Sequence, residues 1–316
     1  MINRTPPLVT IGMPTYNRAN NYLKQAIQCA VNQTYPNIEI IVSDNCSSDN
    51  TETLFKSFNN PMIKYFRQSR NIGGQNNVQF CLEQAQGDYF LLLHDDDLID
   101  DDFVKVCIEA ADYDTSYGII LTGTRVIDEN GTVLQGSTNE AEECPITDFI
   151  LKWFDHKVPL YLCSTLYNTR RLKELGGFRS KYNLYEDNIV LFQLAAKFGR
   201  KDVHDVKASF RRHSDNIGSA AHINEWCEDS LHLLNVICDV VPDNKELLKS
   251  RGLNYFSVDN YIRAARIQSP FKRFYAYLIV YKNFEYSYSP FHYIFAKNII
   301  YRKAFRALRY LKRKTK

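Results

Sequence analysis

Over the first two thirds of the chain, short apolar runs alternate with stretches of helical period. Leu8–Met13 reads as a buried strand ended by Pro14. Leu23, Ala26, Ile27, Ala30 and Val31 then share one helix face. Ile38–Val42 predicts a second strand, and Asp49 followed by Glu52 predicts a capping box opening the next helix. Ile63–Phe66 and Tyr89–Leu93 read as further strands, with a helix over 75–86 between them. This alternation implies βαβ units and a mostly parallel sheet flanked by helices. Beyond Asp97 the pattern predicts a strand at Gly118–Gly123 and a hairpin from Val126-Ile127 to Val133-Leu134, turning at Asn130-Gly131. Helices over 146–154 and 186–199 and a strand near Val203–Phe210 follow. From about Ala220 the pattern is helical and rich in Tyr and Phe, so a boundary is set near 220.

Composition changes this picture in one respect. The formal charge of +3 conceals a division: residues 1–285 carry −6, and residues 286–316 carry +9 with no acid. From Ile300 the helical period puts Ile300, Ala304, Ala307, Leu308 and Leu311 on one face and Arg302, Arg306, Arg309 and Arg313 on the other. A basic amphipathic helix preceded by aromatics suits an anionic membrane surface, so 291–316 is expected to rest on one. No nucleic-acid-reading motif accompanies the charge, and no nucleic-acid partner is expected. The eight cysteines are scattered without a Cys-x-x-Cys pair, which suggests reduced thiols in a cytoplasmic protein. No secretory signal and no membrane span is expected. The expected location is therefore cytoplasmic and peripheral, on the inner face of the cell membrane.

The candidate chemistry lies at strand ends, where an open α/β sheet binds ligands. One strand runs into Pro14-Thr15-Tyr16-Asn17-Arg18, a second into Ser43-Asp44-Asn45-Cys46-Ser47-Ser48-Asp49, and a third into His94-Asp95-Asp96-Asp97. Consecutive carboxylates repel unless a cation sits among them, and oxygen ligands favour Mg²⁺ or Mn²⁺. No dinucleotide fingerprint, Walker A sequence, His-Glu-x-x-His or Gly-x-Ser-x-Gly is present.

These clusters, continued by Arg70-Asn71-Ile-Gly-Gly74, Gly176-Gly177-Phe178, Tyr185-Glu186-Asp187 and Arg211-Arg-His213-Ser-Asp-Asn-Ile217, resemble the family 2 glycosyltransferases with the GT-A fold. The resemblance covers about 7–219. It implies a GT-A domain over 1–220, with nucleotide-sugar binding in 7–98 and the acceptor side and base in 99–220, followed by a helical region over 221–316. It implies an inverting transfer of sugar from a nucleotide-diphosphate sugar, UDP-sugar favoured, to a hydroxyl of a glycan or lipid-linked acceptor in surface-polysaccharide assembly. Pro14, Thr15, Tyr16, Asn17 and Arg18 would line the nucleotide pocket, and Asp44 would accept a hydrogen bond from a uracil-type ring. Asn45, Arg70, Asn71 and Asp95 would face the donor, and Asp96 would face both donor and metal. Asp97 and His213 complete the expected metal set, and His94 is read as a packed residue. Asp187 would be the catalytic base, with Glu186 the alternate. A metal-dependent nucleotidyltransferase and an inactive sugar-binding protein are the rival readings.

Overall fold

The computed structural model describes residues 5–20, 22–213 and 221–297, with side chains to 295. Its central sheet has the strand order β3-β2-β1-β4-β8-β6-β9-β5, with β7 paired to β6. The strands are β1 (Val9–Thr15), β2 (Ile38–Asp44), β3 (Ile63–Arg67), β4 (Tyr89–Leu92), β5 (Leu98–Ile99), β6 (Ile119–Ile127), β7 (Val133–Ser137), β8 (Thr165–Asn168) and β9 (Arg200–Arg211). Pairs β1–β2, β1–β4, β2–β3 and β6–β9 are parallel, and β8, β5 and β7 run against their neighbours.

Both faces of the sheet are covered, which explains why its strands read as continuous apolar runs. Alternate residues serve two cores. Ile40, Val42, Tyr89 and Leu91 face α1 (Leu23–Val31), α2 (Thr51–Phe58) and α4 (Phe103–Ala110). Ile41, Phe90, Leu92 and Tyr167 face α3 (Gly74–Gln84), α5 (Ile146–Phe154), α6 (Thr169–Glu174) and α7 (Glu186–Phe198).

Several local expectations are corrected. β1 continues through Pro14 to Thr15, in register with Ser43 and Asp44, and tolerates Pro14 because its ladder to β4 ends at Gly12–Leu92. The strand at 118–123 and the first hairpin arm are one strand, β6, bulged between Val126 and Ile127. No capping box forms at Asp49. Its carboxylate takes the N–H and hydroxyl of Thr51 and the N–H of Ala19, while Glu52 pairs with Lys56 and Arg67. Gly176 and Gly177, at φ +87° and +80°, close α6, and bends lead on to α7. The boundary near 220 and the amphipathic pattern from Ile300 lie outside the described residues.

The helical region comprises α8 (Ile223–Val240), α9 (Lys245–Ala264), α10 (Pro270–Asn283) and α11 (Pro290–Lys297). It extends the second core: Trp153 of α5 meets Phe192 of α7 at 5.1 Å and Tyr255 of α9 at 4.9 Å between ring centroids. It also grips the segment leading into α7. The fully buried carboxylate of Asp229 on α8 accepts from the Ser180 hydroxyl (2.6 Å), the Tyr182 N–H (3.2 Å) and the Leu184 N–H (3.0 Å). On α9, Asp259 accepts from the Tyr185 hydroxyl at 3.0 Å, and Arg263, stacked 3.8 Å from the Trp226 ring, braces both. Glu186 and Asp187 come next in the chain.

Two stability changes follow. A Cβ on Gly118 would stand 2.4 Å from the Leu194 carbonyl oxygen, a backbone atom, so Gly118→Ala should lower unfolding free energy by roughly 1–3 kcal/mol. Gly136→Ala, with open space at its Cβ, should be near neutral in the same denaturant titration. Asp229→Ala orphans three donors and should cost roughly 1–3 kcal/mol by that assay, with earlier proteolysis within 179–185.

Candidate active site

The loops after β1, β2 and β4 meet at one edge of the sheet. Parallel pairing puts their carboxyl ends side by side, and specific bonds tie the loops together. The Thr15 hydroxyl donates to Asp95 Oδ2 at 2.7 Å, and Arg18 Nε lies 3.9 Å from Asp95 Oδ1. The Asn17 N–H donates to the Ser47 hydroxyl, and Asn17 Oδ1 accepts from the Ser48 N–H, each at 2.8 Å. Asn17 and Cys46 sit at φ +53° and +64°, so both loops turn through left-handed backbone, an ordinary choice for Asn and a costly one for Cys. Tyr16 is exposed at the rim.

Asp44 is fully buried at the tip of β2. Its Oδ1 accepts from the Ser47 N–H at 2.8 Å and its Oδ2 from the Tyr65 hydroxyl. Asn45 spans to the neighbouring turn, donating to Asn71 Oδ1 at 3.0 Å and accepting from the Ile72 N–H at 2.7 Å. Asn45 and Asn71 therefore brace the β2 loop against the segment entering α3. Arg70, beside them, is exposed and makes no ion pair among the described residues.

Between β4 and β5 lie the three acids. Ligand-capable atoms of His94, Asp96 and Asp97 come within 4.8 Å of one another. Burial and the neighbouring Asp96 charge push Asp95 up to about 7, and the same two causes hold Asp97 well above the usual carboxylate range. Burial holds the His94 imidazole below its ordinary value, which favours the neutral, ligating form. The cluster is thus short of positive charge, and two carboxylates with an imidazole form a donor set that a divalent cation fits. His213 is brought to the same place: its Nε2 lies 2.8 Å from Asp96 Oδ2, and its ring is 5.4 Å from that of Tyr22. The ligand-capable trio thus includes His94, read from sequence as a packed residue, while His213 contacts the same acid.

Arg211 was not singled out by the sequence, yet it organises this loop. The side chain is fully buried. Its backbone N–H donates to Asp97 Oδ1 and its Nε to the Asp96 carbonyl, both at 2.8 Å. Nη2 reaches Gln25 at 2.9 Å, Nη1 reaches the Asp128 carbonyl at 3.2 Å, and the guanidinium lies 4.3 Å above the Tyr22 ring. Only its place beside Arg212 and His213 hinted at this.

Glu186 and Asp187 open α7, half-buried. Burial, reinforced by the Asp187 charge, raises Glu186 to about 7, and burial raises Asp187 to about 6. Asp187 Oδ1 also accepts from the Asn188 N–H at 2.8 Å. The buried Tyr167 hydroxyl is held well above its ordinary value by burial, then by the Asp187 charge, with smaller contributions from Cys163 and Glu186. Burial, and then the Asp97 charge, hold the Cys163 thiol well above its ordinary value.

Comparisons with known proteins bear on the family and the fold. A sequence model of glycosyl transferase family 2 matches residues 10–176. An uncharacterized glycosyltransferase of Rickettsia typhi is 38% identical over 96 residues, 30% of this chain and 29% of the relative. The Escherichia coli chondroitin synthase is 30% identical over 136 residues, 42% of this chain and 19% of that one. The chain thus spans less than a third of the curated relatives it matches. Among solved structures, residues 1–349 of S. aureus TarS in complex with UDP-GlcNAc superpose with TM-score 0.60 at 16% identity, covering 89% of this chain and 90% of that one. The mannosyltransferase PcManGT from Pyrobaculum calidifontis, in complex with GDP-Man and Mn²⁺, gives 0.52 at 17% identity over 90% and 85%. The fold is the mixed, mostly parallel α/β architecture of the GT-A type expected from the sequence. By the family match over more than half its length, the chain belongs to glycosyl transferase family 2.

Proposed function

We propose that this protein is a metal-dependent inverting glycosyltransferase that moves a sugar from a nucleoside-diphosphate sugar to a hydroxyl of a glycan or lipid-linked acceptor. The observation that carries the reading is the His94–Asp96–Asp97 cluster at the mouth of the β1, β2 and β4 loops. Asp96 and Asp97 would hold Mg²⁺ or Mn²⁺, with His94 or His213 as the nitrogen donor. Such a cation supplies charge neutralisation for a leaving diphosphate. Pro14–Arg18, Asp44, Asn45, Arg70, Asn71 and Asp95 would bound the nucleotide, with Tyr16 at its rim and Asp44 beneath the base. UDP is favoured because a buried carboxylate reads a uracil N–H. The acceptor side would come from residues 99–220.

Asp187 is the proposed base. The acceptor oxygen forms a bond to C1 of the donor sugar while the C1–O bond to phosphate breaks. The electron pair leaves with the nucleoside diphosphate, and the acceptor proton passes to Asp187, with Glu186 as the alternate. Carboxyls raised into the range of about 6 to 7 by burial suit this task, since a stronger base still ionised near neutral pH accepts a proton more readily. The setting we assign is surface-polysaccharide or lipopolysaccharide assembly on the cytoplasmic face of the membrane, with the segment 291–316 on the lipid surface.

Asp187→Asn tests the assignment. It should cut turnover at least ~10²-fold while leaving donor-nucleotide affinity within about twofold. Unchanged turnover removes Asp187 as base, and loss of nucleotide binding places it in the donor pocket instead. A base must be ionised to accept a proton. The kcat of the unaltered enzyme should therefore fall as pH drops through about 6 to 7 and level off above.

A further inference from the structure

We propose that the outward face of α10, together with that of α11, is a docking surface for an anionic lipid bilayer. This extends the membrane reading given for 291–316 to an element that was not part of it. α10 is apolar on two opposite sides. Its inner side, Ala276, Tyr277 and Val280, is buried against the other C-terminal helices. Its outer side carries Phe271, Phe274, Tyr275 and Leu278 at i, i+3, i+4 and i+7, and their exposures are 83, 49, 63 and 44%. A second apolar stripe left in water has a cost that a water-facing helix normally avoids with polar residues.

α11 repeats the arrangement. Tyr293 turns inward and stacks on Tyr261 at 5.2 Å, while Phe291, Ile294 and Phe295 face outward at 60, 42 and 44% exposure. The inner tyrosines of the two helices meet, Tyr277 with Tyr293 at 6.0 Å, so both outer stripes point away from one shared core.

Charge decides the kind of partner. Residues 270–316 contain twelve Lys and Arg and one acid, Glu285. That acid is paired with Lys249 of α9 at 2.9 Å. Lys272 and Lys282, both exposed, lie beside or on the aromatic stripe and make no ion pair among the described residues. Phe and Tyr interleaved with Lys and Arg, with no competing carboxylate, match the chemistry of a lipid headgroup layer. Rings enter the acyl boundary while cations meet phosphate. A protein partner would have to supply both a large apolar groove and a surplus of acid. The bilayer supplies both along its whole surface.

The test is flotation of the full chain with phosphatidylcholine vesicles, with and without phosphatidylglycerol. The wild type should float with anionic vesicles and release at high salt. Phe271→Ser/Phe274→Ser/Tyr275→Ser/Leu278→Ser should lower the partition coefficient at least ~tenfold with circular dichroism unchanged. Arg302, Arg306, Arg309 and Arg313 changed together to Gln form the control arm. If that variant loses flotation and the α10 variant does not, the α10 surface is refuted and the tail reading stands. If the wild type never floats, the membrane reading itself falls. A concentration-dependent dimer of the wild type, abolished by the α10 changes, would assign the face to a second copy and overturn the proposal.

Discussion

The guanidinium of Arg211 is the fixed point of the acidic edge. It is one of the largest fully buried side chains in the protein, and a buried charge is tolerable only when its hydrogen bonds are met. Those bonds run to the acidic loop at Asp96, to α1 at Gln25 and to the β6–β7 turn at Asp128, and the guanidinium also lies over the ring of Tyr22. The backbone of the same residue holds Asp97. The end of β9 therefore sets the position of a loop more than a hundred residues earlier in the chain. Asp95 and Asp97, raised by burial and then by the Asp96 charge, stay in place because Thr15 holds Asp95 and Arg211 holds Asp97 and the Asp96 carbonyl.

A second constraint joins the helical region to the chemistry. Asp229, Asp259 and Arg263 belong to helices that a reading by domains would treat as an appendage. They grip residues 180–185 immediately before Glu186 and Asp187. Their core is continuous with that of α5 and α7 through Trp153, Phe192 and Tyr255. The carboxylates proposed to accept the acceptor's proton are thus set by packing outside the segment the family match covers, which ends at residue 176.

Much of this was legible in the residues, because strands buried on both faces leave uninterrupted apolar runs and their polar ends stand out. Ile38–Val42 and Tyr89–Leu93 announced both the parallel sheet and the place of the acidic loop. What escaped depended on contacts distant in sequence. Nothing local to Arg211 distinguishes a buried clamp from a surface charge, and nothing local to Asp229 reveals its three donors. Pro14 looked like a strand terminator, yet its missing N–H is harmless where β4 has already ended. Asp49 has the spacing of a cap, but its carboxylate also serves Ala19, across the interloop gap. His94 looked like a packed residue, and the fold brings its imidazole to the two acids.

The central claim is that the acidic edge binds a nucleoside diphosphate through a divalent cation. Thermal shift of the full chain with UDP, GDP, dTDP and CMP derivatives, each with and without Mn²⁺, tests it most directly. The account predicts a stabilising shift with one nucleoside diphosphate that requires the metal and disappears in Asp96→Asn. A panel with no metal-dependent nucleotide shift, in a protein that melts cooperatively, would contradict it.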